Sequence, residues 1–276
     1  MRSLNDREVG VMFWAGRDTL SEIQSLGVQC GQLGVPGDLA LTAQEAAGWK
    51  SSLDAAEFAV VTVFAAYNGE NYADIPTVQR TVGFIPRDTR AEREQRTYEV
   101  IDFAAAIGVS SFACHIGFVP EDITHPDYVE VLEMVRRVAD HAGKTKQSFA
   151  LETGQEPAHV LQRFLKDVDR PNVGINFDPA NLILYGTGDP IEALSVLGPH
   201  VISVHAKDGD WPDSGKPGAL GTERPLGQGS VGIPRFVAKL KEVGFRGPLN
   251  IEREAENQAE RIADIRKAVP YLKALA

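Results

Sequence analysis

Four side chains that can bind a metal ion or move a proton stand directly after strand-like runs in the second half of the chain. They are Glu152 after SFAL, Asp178 after VGINF, His205 after VISV and Glu252 after LNI. If these runs are neighbouring strands of one parallel barrel, their carboxyl ends meet at the same rim. Three carboxylates and one imidazole at that rim would form an oxygen-rich site for a divalent cation.

Each of these residues also has an ordinary structural explanation when it is considered alone. A buried glutamate such as Glu152 can be paired rather than metal-bound, and Asp178 can cap the turn that begins at the proline after it. His205 can be a hydrogen-bonded core residue, and Glu252 can pair with a nearby arginine. Because all four occupy the same position on four successive runs, one shared metal site explains them better than four coincidences.

Strand-like and helix-like runs alternate along the whole chain. Short runs rich in β-branched and aromatic residues predict strands at 9–14, 28–35, 58–64, 111–115, 148–152, 173–178, 201–205 and 248–252. Apolar residues at three- and four-residue spacing predict helices at 19–26, 41–54, 90–107, 128–141, 156–168, 191–197, 233–243 and 259–275. Four of these helices lead to a glycine that suits a C-cap, namely Gly27, Gly108, Gly143 and Gly244.

Eight strands alternating with eight helices predict an α/β fold, a single (β/α)8 TIM barrel that spans 1–276 as one domain. A doubly wound open sheet is the main competitor, but no GxGxxG motif stands directly after any of the predicted strands. Three segments, 65–88, 116–126 and 206–231, are longer than a barrel requires, and all leave the carboxyl ends of strands. They suit lids over an active site, and packing between subunits is the other explanation.

Composition limits the partners of this chain. Its 276 residues, 43% hydrophobic and 24% charged, are typical of a globular protein. A net charge of -10 disfavours nucleic acid as a partner, because binding a phosphate backbone requires a basic surface. No run has the length and apolar character of a signal peptide or membrane span, so we expect a cytoplasmic location and no membrane partner. Cys30 and Cys114 fall within predicted strands and are expected to be buried without forming a disulfide.

The motifs around the four candidate ligands are LETGQE, FDPANL, VHAKDGD and IERE. Their order resembles the sugar phosphate isomerase and epimerase family, within the superfamily of xylose isomerase-like TIM barrels, and the resemblance covers nearly the whole barrel. It implies that one divalent ion is bound by Glu152, Asp178, His205 and Glu252. Mn²⁺ is the expected ion, and Mg²⁺, Co²⁺ or Zn²⁺ would also fit this donor set.

The resemblance also implies that Glu152 and Glu252 are the catalytic acid/base pair, on opposite faces of a bound ketose. One carboxylate would remove the proton from the carbon next to the carbonyl, giving an enediolate, and return of the proton would complete an isomerisation or epimerisation. The expected partner is therefore a small carbohydrate or polyol. The sequence leaves open whether the chain forms a homo-oligomer.

Further residues are predicted to contact the substrate, namely Trp14, His115, Gln155, Asn181 and Lys207. Trp14 ends the first strand and could wall the apolar face of a sugar. Ketose 3-epimerases of the superfamily usually carry a histidine at the position of Asn181, so the identity of the substrate does not transfer. Lys207 could equally be a solvated loop residue, and Glu223 and Arg224 in the last long segment are expected to point into water.

Three other functions are compatible with such a barrel. Elimination from a keto-polyol or keto-glycoside, as in the dehydratases and lyases of the superfamily, begins with the same proton removal, so the sequence does not separate it from isomerisation. Apurinic endonucleases use a multi-zinc cluster with more histidines, and this chain has 6 in total. A non-catalytic sugar-binding barrel is disfavoured by the intact acid/base pair.

Overall fold

A computed structural model describes residues 4–276, in which parallel strands alternate with helices. The strands, numbered in chain order, are β1 (Val9–Trp14), β2 (Cys30–Val35), β3 (Ala59–Ala65), β4 (Ser111–Cys114), β5 (Ser148–Glu152), β6 (Val173–Phe177), β7 (Val201–Ala206), β8 (Asp208–Asp210), β9 (Thr222–Arg224) and β10 (Leu249–Ile251).

The helices are α1 (Leu20–Gln24), α2 (Ala43–Ala55), α3 (Ile75–Thr81), α4 (Arg87–Ala106), α5 (Pro126–Gly143), α6 (Ala158–Val168), α7 (Pro179–Leu184), α8 (Pro190–Leu197), α9 (Ile233–Glu242) and α10 (Gln258–Lys273). Most of them begin at a side chain that accepts a hydrogen bond from the first turn. Thr42, Asp74, Asp189 and Asn257 do so at α2, α3, α8 and α10. These caps satisfy N–H groups that have no partner inside the helix.

Eight of the strands close into a barrel in the order β1-β10-β7-β6-β5-β4-β3-β2. Every neighbouring pair is parallel, which confirms the predicted (β/α)8 barrel. The carboxyl ends of all eight strands therefore open on one rim. Strands β5, β6, β7 and β10 follow one another around the barrel, so residues at their ends are neighbours.

The structure adds short elements that periodicity did not predict. Segment 65–88 contains α3, and segment 206–231 contains a two-stranded antiparallel sheet formed by β8 and β9. The sixth strand ends before Asp178, because that residue caps α7. Elements of three to seven residues contain too few positions to establish a hydrophobic period.

The expected C-cap at Gly143 is wrong. Positive φ angles of 81°, 80° and 80° are found at Gly27, Gly108 and Gly244, as a left-handed C-cap requires. Helix α5 instead runs through Gly143, and the left-handed residue is Lys146 with a φ of 58°. The chain therefore turns toward β5 three residues later than the glycine indicated.

The core has two layers of different character. Between strands and helices it is aromatic and aliphatic, as where Phe112 stacks on Phe149 with ring centroids 4.5 Å apart. Inside the barrel, a small apolar plug is formed by Met12, Phe64, Ala113 and Ala150. Polar side chains occupy the interior toward the rim, which places them where the strands end.

Both cysteines lie in the interior of the protein. Cys30 and Cys114 are both buried and neither forms a disulfide, as predicted. Within residues 4–276, no helix combines the length and the apolar character needed to cross a bilayer.

Arg261 of α10 fastens the last helix to the first strand of the barrel. Its side chain is 1% exposed, pairs with Asp18 at 2.7 Å and donates to the carbonyls of Met12 at 3.1 Å and Arg253 at 2.9 Å. Asp18 also accepts from the N–H of Trp14 at 2.8 Å. Because both charged groups are buried, each depends on the other for compensation.

We expect Asp18→Ala to lower the free energy of unfolding by about 3–5 kcal/mol, because it leaves a buried guanidinium without its partner. Urea denaturation of the purified protein measures this change. Asp6→Ala is the matched control, since it removes the exposed partner of Arg246 and should change stability by less than about 0.5 kcal/mol. A decrease in the free energy of unfolding of less than about 1 kcal/mol for Asp18→Ala would show that this ion pair does not fasten α10 to β1.

Candidate metal centre and pocket

The ends of four successive barrel strands bring together Glu152, Asp178, His205 and Glu252. One potential ligand atom of each lies within 4.8 Å of those of the other three. The Nδ1 atom of His205 is 3.1 Å from Glu152 Oε1, 3.2 Å from Glu252 Oε2 and 3.7 Å from Asp178 Oδ2. All four residues are buried, and such a cluster could bind a divalent cation.

Asp178 serves the fold and the cluster with different oxygen atoms. Its Oδ1 caps α7 by accepting from the N–H groups of Ala180 at 2.8 Å and Asn181 at 3.1 Å. Its Oδ2 is buried and has no hydrogen-bond partner among the described residues. Because a buried anionic oxygen without a partner is costly, this atom fits a cation ligand. The capping role and the metal role considered from the sequence are thus compatible.

A network of amides beneath the cluster fixes the orientation of His205. Asn176 Nδ2 donates to Glu152 Oε2, while Asn176 Oδ1 accepts from Gln32 Nε2 at 2.9 Å and from the hydroxyl of Ser203. The remaining oxygen of Gln32 lies 2.9 Å from His205 Nε2. Gln32 and Asn176 lie on β2 and β6, on opposite sides of the barrel.

This network determines which nitrogen of the imidazole carries a proton. A carboxylate only accepts, so Asn176 presents its NH₂ group to Glu152 and its oxygen to Gln32. Gln32 must then present its NH₂ group to Asn176 and its oxygen to His205. Nε2 of His205 is therefore a donor, and Nδ1 faces the three carboxylates, which would stabilise a proton or a metal ion bound to it.

The electrostatics of the cluster favour a positive charge at its centre. Burial raises the pKa of Glu152 to about 7. Burial also opposes ionisation of Glu252, but the positive charges of His205 and Lys207 outweigh it and hold the pKa of Glu252 well below its ordinary value. Burial opposes a charged imidazole as well, yet Glu252 and Glu152 hold the pKa of His205 well above its ordinary value. A proton on Nδ1 or a metal ion would meet this requirement.

A pocket of about 480 Å³ opens at the rim. Its lining includes aromatic, acidic and amide side chains, among them Trp14, Phe64, Glu70, Tyr72, His115, Asn181, Tyr185, Lys207, Glu223, Glu252, Glu254 and Glu256. Of the four clustered residues, Glu252 is part of this lining, and the other three lie behind it. The volume is that of a small-molecule site.

Most of the residues predicted to contact substrate lie at this pocket. Trp14, His115, Asn181 and Lys207 all belong to its lining. Gln155 does not; its side chain is buried, and its Nε2 has no hydrogen-bond partner among the described residues. The contact of these five residues with a substrate stays a prediction.

Individual environments of these residues explain what each could contribute. Asn181 donates to Glu152 Oε1 at 3.3 Å. Lys207 is 3% exposed rather than solvated, with its Nζ 3.0 Å from Glu252 and 2.7 Å from Glu254. Burial lowers the pKa of His115 to about 3, so its ring is neutral and can donate or accept a hydrogen bond.

The expectation that Glu223 points into water is wrong. Its side chain, 14% exposed, lines the pocket, pairs with Arg253 at 3.0 Å and accepts from the N–H of Glu254 at 3.0 Å. Arg224 does face water and pairs with Asp210, as expected. The two residues diverge because they are neighbours on β9, where successive side chains point to opposite faces.

The sequence did not predict the role of one carboxylate, Glu70, or that of two amides, Gln32 and Asn176. Glu70 accepts from the N–H groups of Tyr67 at 3.1 Å and Gly83 at 2.9 Å, and so holds the segment after β3 over the pocket. Gln32 and Asn176 orient the imidazole from inside the barrel. A usable signal existed for these two, since each is a polar residue within an otherwise apolar strand, CGQLGV and VGINF.

Comparison with known proteins places this geometry in a wider context. Residues 20–275 match the family model of the xylose isomerase-like TIM barrel. The crystal structure of a xylose isomerase domain protein from Planctomyces limnophilus is 42% identical, with a TM-score of 0.94 over 98% of this chain and 97% of that chain. The apo structure of 3-keto-D-glucoside 4-epimerase from Escherichia coli is 15% identical, with a TM-score of 0.68 over 97% of this chain and 99% of that one.

Matches to curated sequences are shorter. L-ribulose-5-phosphate 3-epimerase from Escherichia coli is 32% identical over 97 residues, which is 35% of this chain and 31% of that protein. The chain spans between 31% and 59% of the length of the curated relatives that it matches, this epimerase among them.

Glu156, four residues after the end of β5, is buried and is not part of the cluster. Its Oε1 accepts from the N–H of Val119 at 3.0 Å, and burial raises its pKa to about 7. In the unfolded chain this carboxyl ionises near pH 4.5. Between about pH 4.5 and 7 the unfolded state therefore loses the proton while the folded state keeps it, so stability falls as the pH rises through this window.

We expect the free energy of unfolding of Glu156→Gln, relative to that of wild type, to rise by up to about 3 kcal/mol between pH 4.5 and pH 8. The reason is that the variant has no carboxyl to ionise. Urea denaturation of both proteins at several pH values measures the difference. A difference in unfolding free energy that is the same at both ends of this range would contradict the assignment.

Proposed function

Because the chain belongs to the xylose isomerase-like TIM barrel family, we propose that it is a divalent-metal-dependent isomerase or epimerase of a sugar or polyol. One observation carries the proposal, namely the buried cluster of three carboxylates and one oriented imidazole behind a small-molecule pocket. Mutually repelling oxygens are gathered there, and Asp178 Oδ2 has no hydrogen-bond partner among the described residues. A cation site at the floor of a pocket is the function that this arrangement supports best.

The ion would be held by Glu152, Asp178, His205 and Glu252. Mn²⁺ suits a site with three oxygen donors and one imidazole, and Mg²⁺, Co²⁺ and Zn²⁺ have related preferences. When bound, such an ion supplies Lewis-acid stabilisation of the negative charge that develops on a substrate oxygen. The orienting hydrogen bond from Nε2 to Gln32 would support the imidazole in this role.

Glu252 is the proposed base for removal of the proton next to the substrate carbonyl. It lines the pocket, and its low pKa keeps it ionised at neutral pH. Lys207 fixes the orientation of this carboxylate through a 3.0 Å contact. A positioned base typically contributes about 10²–10⁴-fold to the rate.

Glu152 is the proposed partner that returns or delivers the proton. Its raised pKa, about 7, suits a group that exchanges a proton near neutral pH. Asn181, in the first turn of α7, donates to one of its oxygens, and Asn176, inside the barrel, donates to the other. These two hydrogen bonds fix the position of the carboxyl group. Trp14, His115 and the hydroxyl of Tyr185 would orient the sugar.

Proton exchange in D₂O tests this proposal. We expect Mn²⁺-loaded protein to introduce deuterium next to the carbonyl of at least one member of a panel of ketoses, inososes and 3-keto-glycosides, followed by NMR. Glu252→Gln should lower that exchange by at least about 100-fold, and Glu152→Gln should lower it as well. Glu242→Gln, which changes a distant exposed glutamate at the end of α9, should leave it unchanged.

The products of the same experiment separate the remaining functions. A rearranged or epimerised ketose supports the proposal, whereas loss of water or of an aglycone after the same proton removal would identify a dehydratase or lyase. Tight Mn²⁺ binding without exchange on any compound would count against the proposal and favour a non-catalytic sugar-binding barrel.

Gln32→Met tests whether the cluster holds the metal through an oriented imidazole. We expect about 10- to 100-fold weaker Mn²⁺ binding, because His205 loses the acceptor that fixes its ring. Isothermal titration calorimetry measures the affinity without any substrate. Gln162→Met on the exposed face of α6 is the matched control, and equal affinities in the two variants would argue against the role of the network.

A further inference from the structure

We propose that this pocket selects uncharged polyhydroxylated substrates and excludes phosphate monoesters. The inference deepens the proposed function, on which its catalytic part rests, by naming the class of substrate. Its basis is the distribution of charge in and around the pocket.

Acidic side chains dominate the lining of the pocket. The carboxylates that line it are Glu70, Glu223, Glu252, Glu254 and Glu256. Among residues 4–276, Lys207 is the single lysine or arginine in that lining. Two further carboxylates, Glu152 and Asp178, lie directly behind. Even with a divalent cation at the cluster, a bound phosphate would face a surplus of like charge.

Lys207 is already fully used by neighbouring carboxylates. Its Nζ lies 3.0 Å from Glu252, 2.7 Å from Glu254 and 3.8 Å from Asp178. Turning this ammonium toward a phosphate would break a buried ion pair and leave Glu252 without its partner. The lysine is therefore arranged to orient the base rather than to bind an anion.

Arg253, next to the pocket, is committed in the same way. Its guanidinium pairs with Glu223 at 3.0 Å and with Asp264 at 3.1 Å, and its side chain is 11% exposed. His115, which lines the pocket, is neutral and carries no charge toward a substrate. No cation at the pocket is thus free to bind a phosphate among the residues that the structure describes there.

The loop after β7 contains a backbone cradle of the kind that often binds phosphate in TIM barrels. In this chain a protein carboxylate fills it. Asp208, 1% exposed, accepts from the N–H groups of Gly227 at 2.9 Å, Gly229 at 3.0 Å, Val231 at 3.1 Å and Gly209 at 2.9 Å. The donors that would recognise a phosphate are therefore satisfied internally.

The start of α7 is closed to anions for a similar reason. The N–H groups of its first turn are capped by Asp178. What remains in the pocket is an aromatic wall that includes Trp14, Phe64 and Tyr185, with carboxylates such as Glu256 near the mouth. Aromatic faces suit the C–H surface of a sugar, and carboxylates accept hydrogen bonds from its hydroxyl groups.

Matched pairs of ligands test the inference by binding as well as by reaction. Sorbitol, mannitol, galactitol and arabinitol, each with its terminal phosphate monoester, are titrated into Mn²⁺-loaded protein by calorimetry, with inorganic phosphate as the control for direct capture of the ion. We expect at least one alditol to bind, and to bind at least about 30-fold tighter than its phosphate. Equal or tighter binding of the phosphates, or no binding by any alditol, would overturn the inference.

The exchange assay, run with ketoses and with their terminal phosphates, shows whether a negative result contradicts the substrate class or the proposed reaction. Exchange that is faster with the phosphates would contradict the inference and leave the proposed reaction intact. Discrimination in alditol binding without exchange on any ketose would support the inference and contradict the reaction.

A charge reversal at the mouth tests the physical cause. At low ionic strength, Glu256→Lys should lower the ratio between the affinity for each alditol and that for its phosphate by about three- to tenfold. High salt should make this effect smaller. Glu242→Lys makes the same change on α9, away from the pocket, and should leave the preference unaltered. Identical effects of the two substitutions would show that net charge, rather than the pocket, sets the preference.

Discussion

A concentration of negative charge around one imidazole nitrogen governs how the carboxyl end of this barrel is built. Nδ1 of His205 faces oxygens of Glu152, Glu252 and Asp178 inside the barrel, where water does not screen them. Burial of uncompensated charge costs several kcal/mol for each ion, so the arrangement requires a cation or proton at its centre. The amides of the barrel interior are consequences of that requirement, because they orient the imidazole and hold a carboxylate at once.

Carboxylates also organise the loops that build the pocket. Glu70 accepts backbone N–H groups within the segment after β3, and Glu223 accepts the N–H of Glu254 beyond the last strand. Burial raises the pKa of both side chains. Acidic residues at this rim are therefore structural ties as well as sources of negative potential, and the fold of the long segments is inseparable from the charge of the site.

The sequence predicted the parts of this arrangement that are carried by local pattern. Strands β1 and β5 have the predicted bounds, the barrel is confirmed, and the four candidate ligands lie together because each follows a recognisable strand. Gln32 and Asn176 escaped prediction because their hydrogen bond joins residues 144 positions apart, across the barrel. The direction of Glu223 depends on β9, a three-residue strand whose pairing arises from tertiary contacts rather than from a repeating pattern.

Helix α7 has a consequence for how the two halves of the site communicate. Its six residues lie between Asp178, whose second oxygen belongs to the cluster, and Tyr185, which lines the pocket. A rod of this length, about 9 Å, is rigid on the scale of a side chain. The cluster and the pocket wall are therefore joined by one short rigid element, and a shift at either end would be carried to the other. By thermodynamic linkage, any effect that a ligand at one end had on affinity at the other would be equal in both directions.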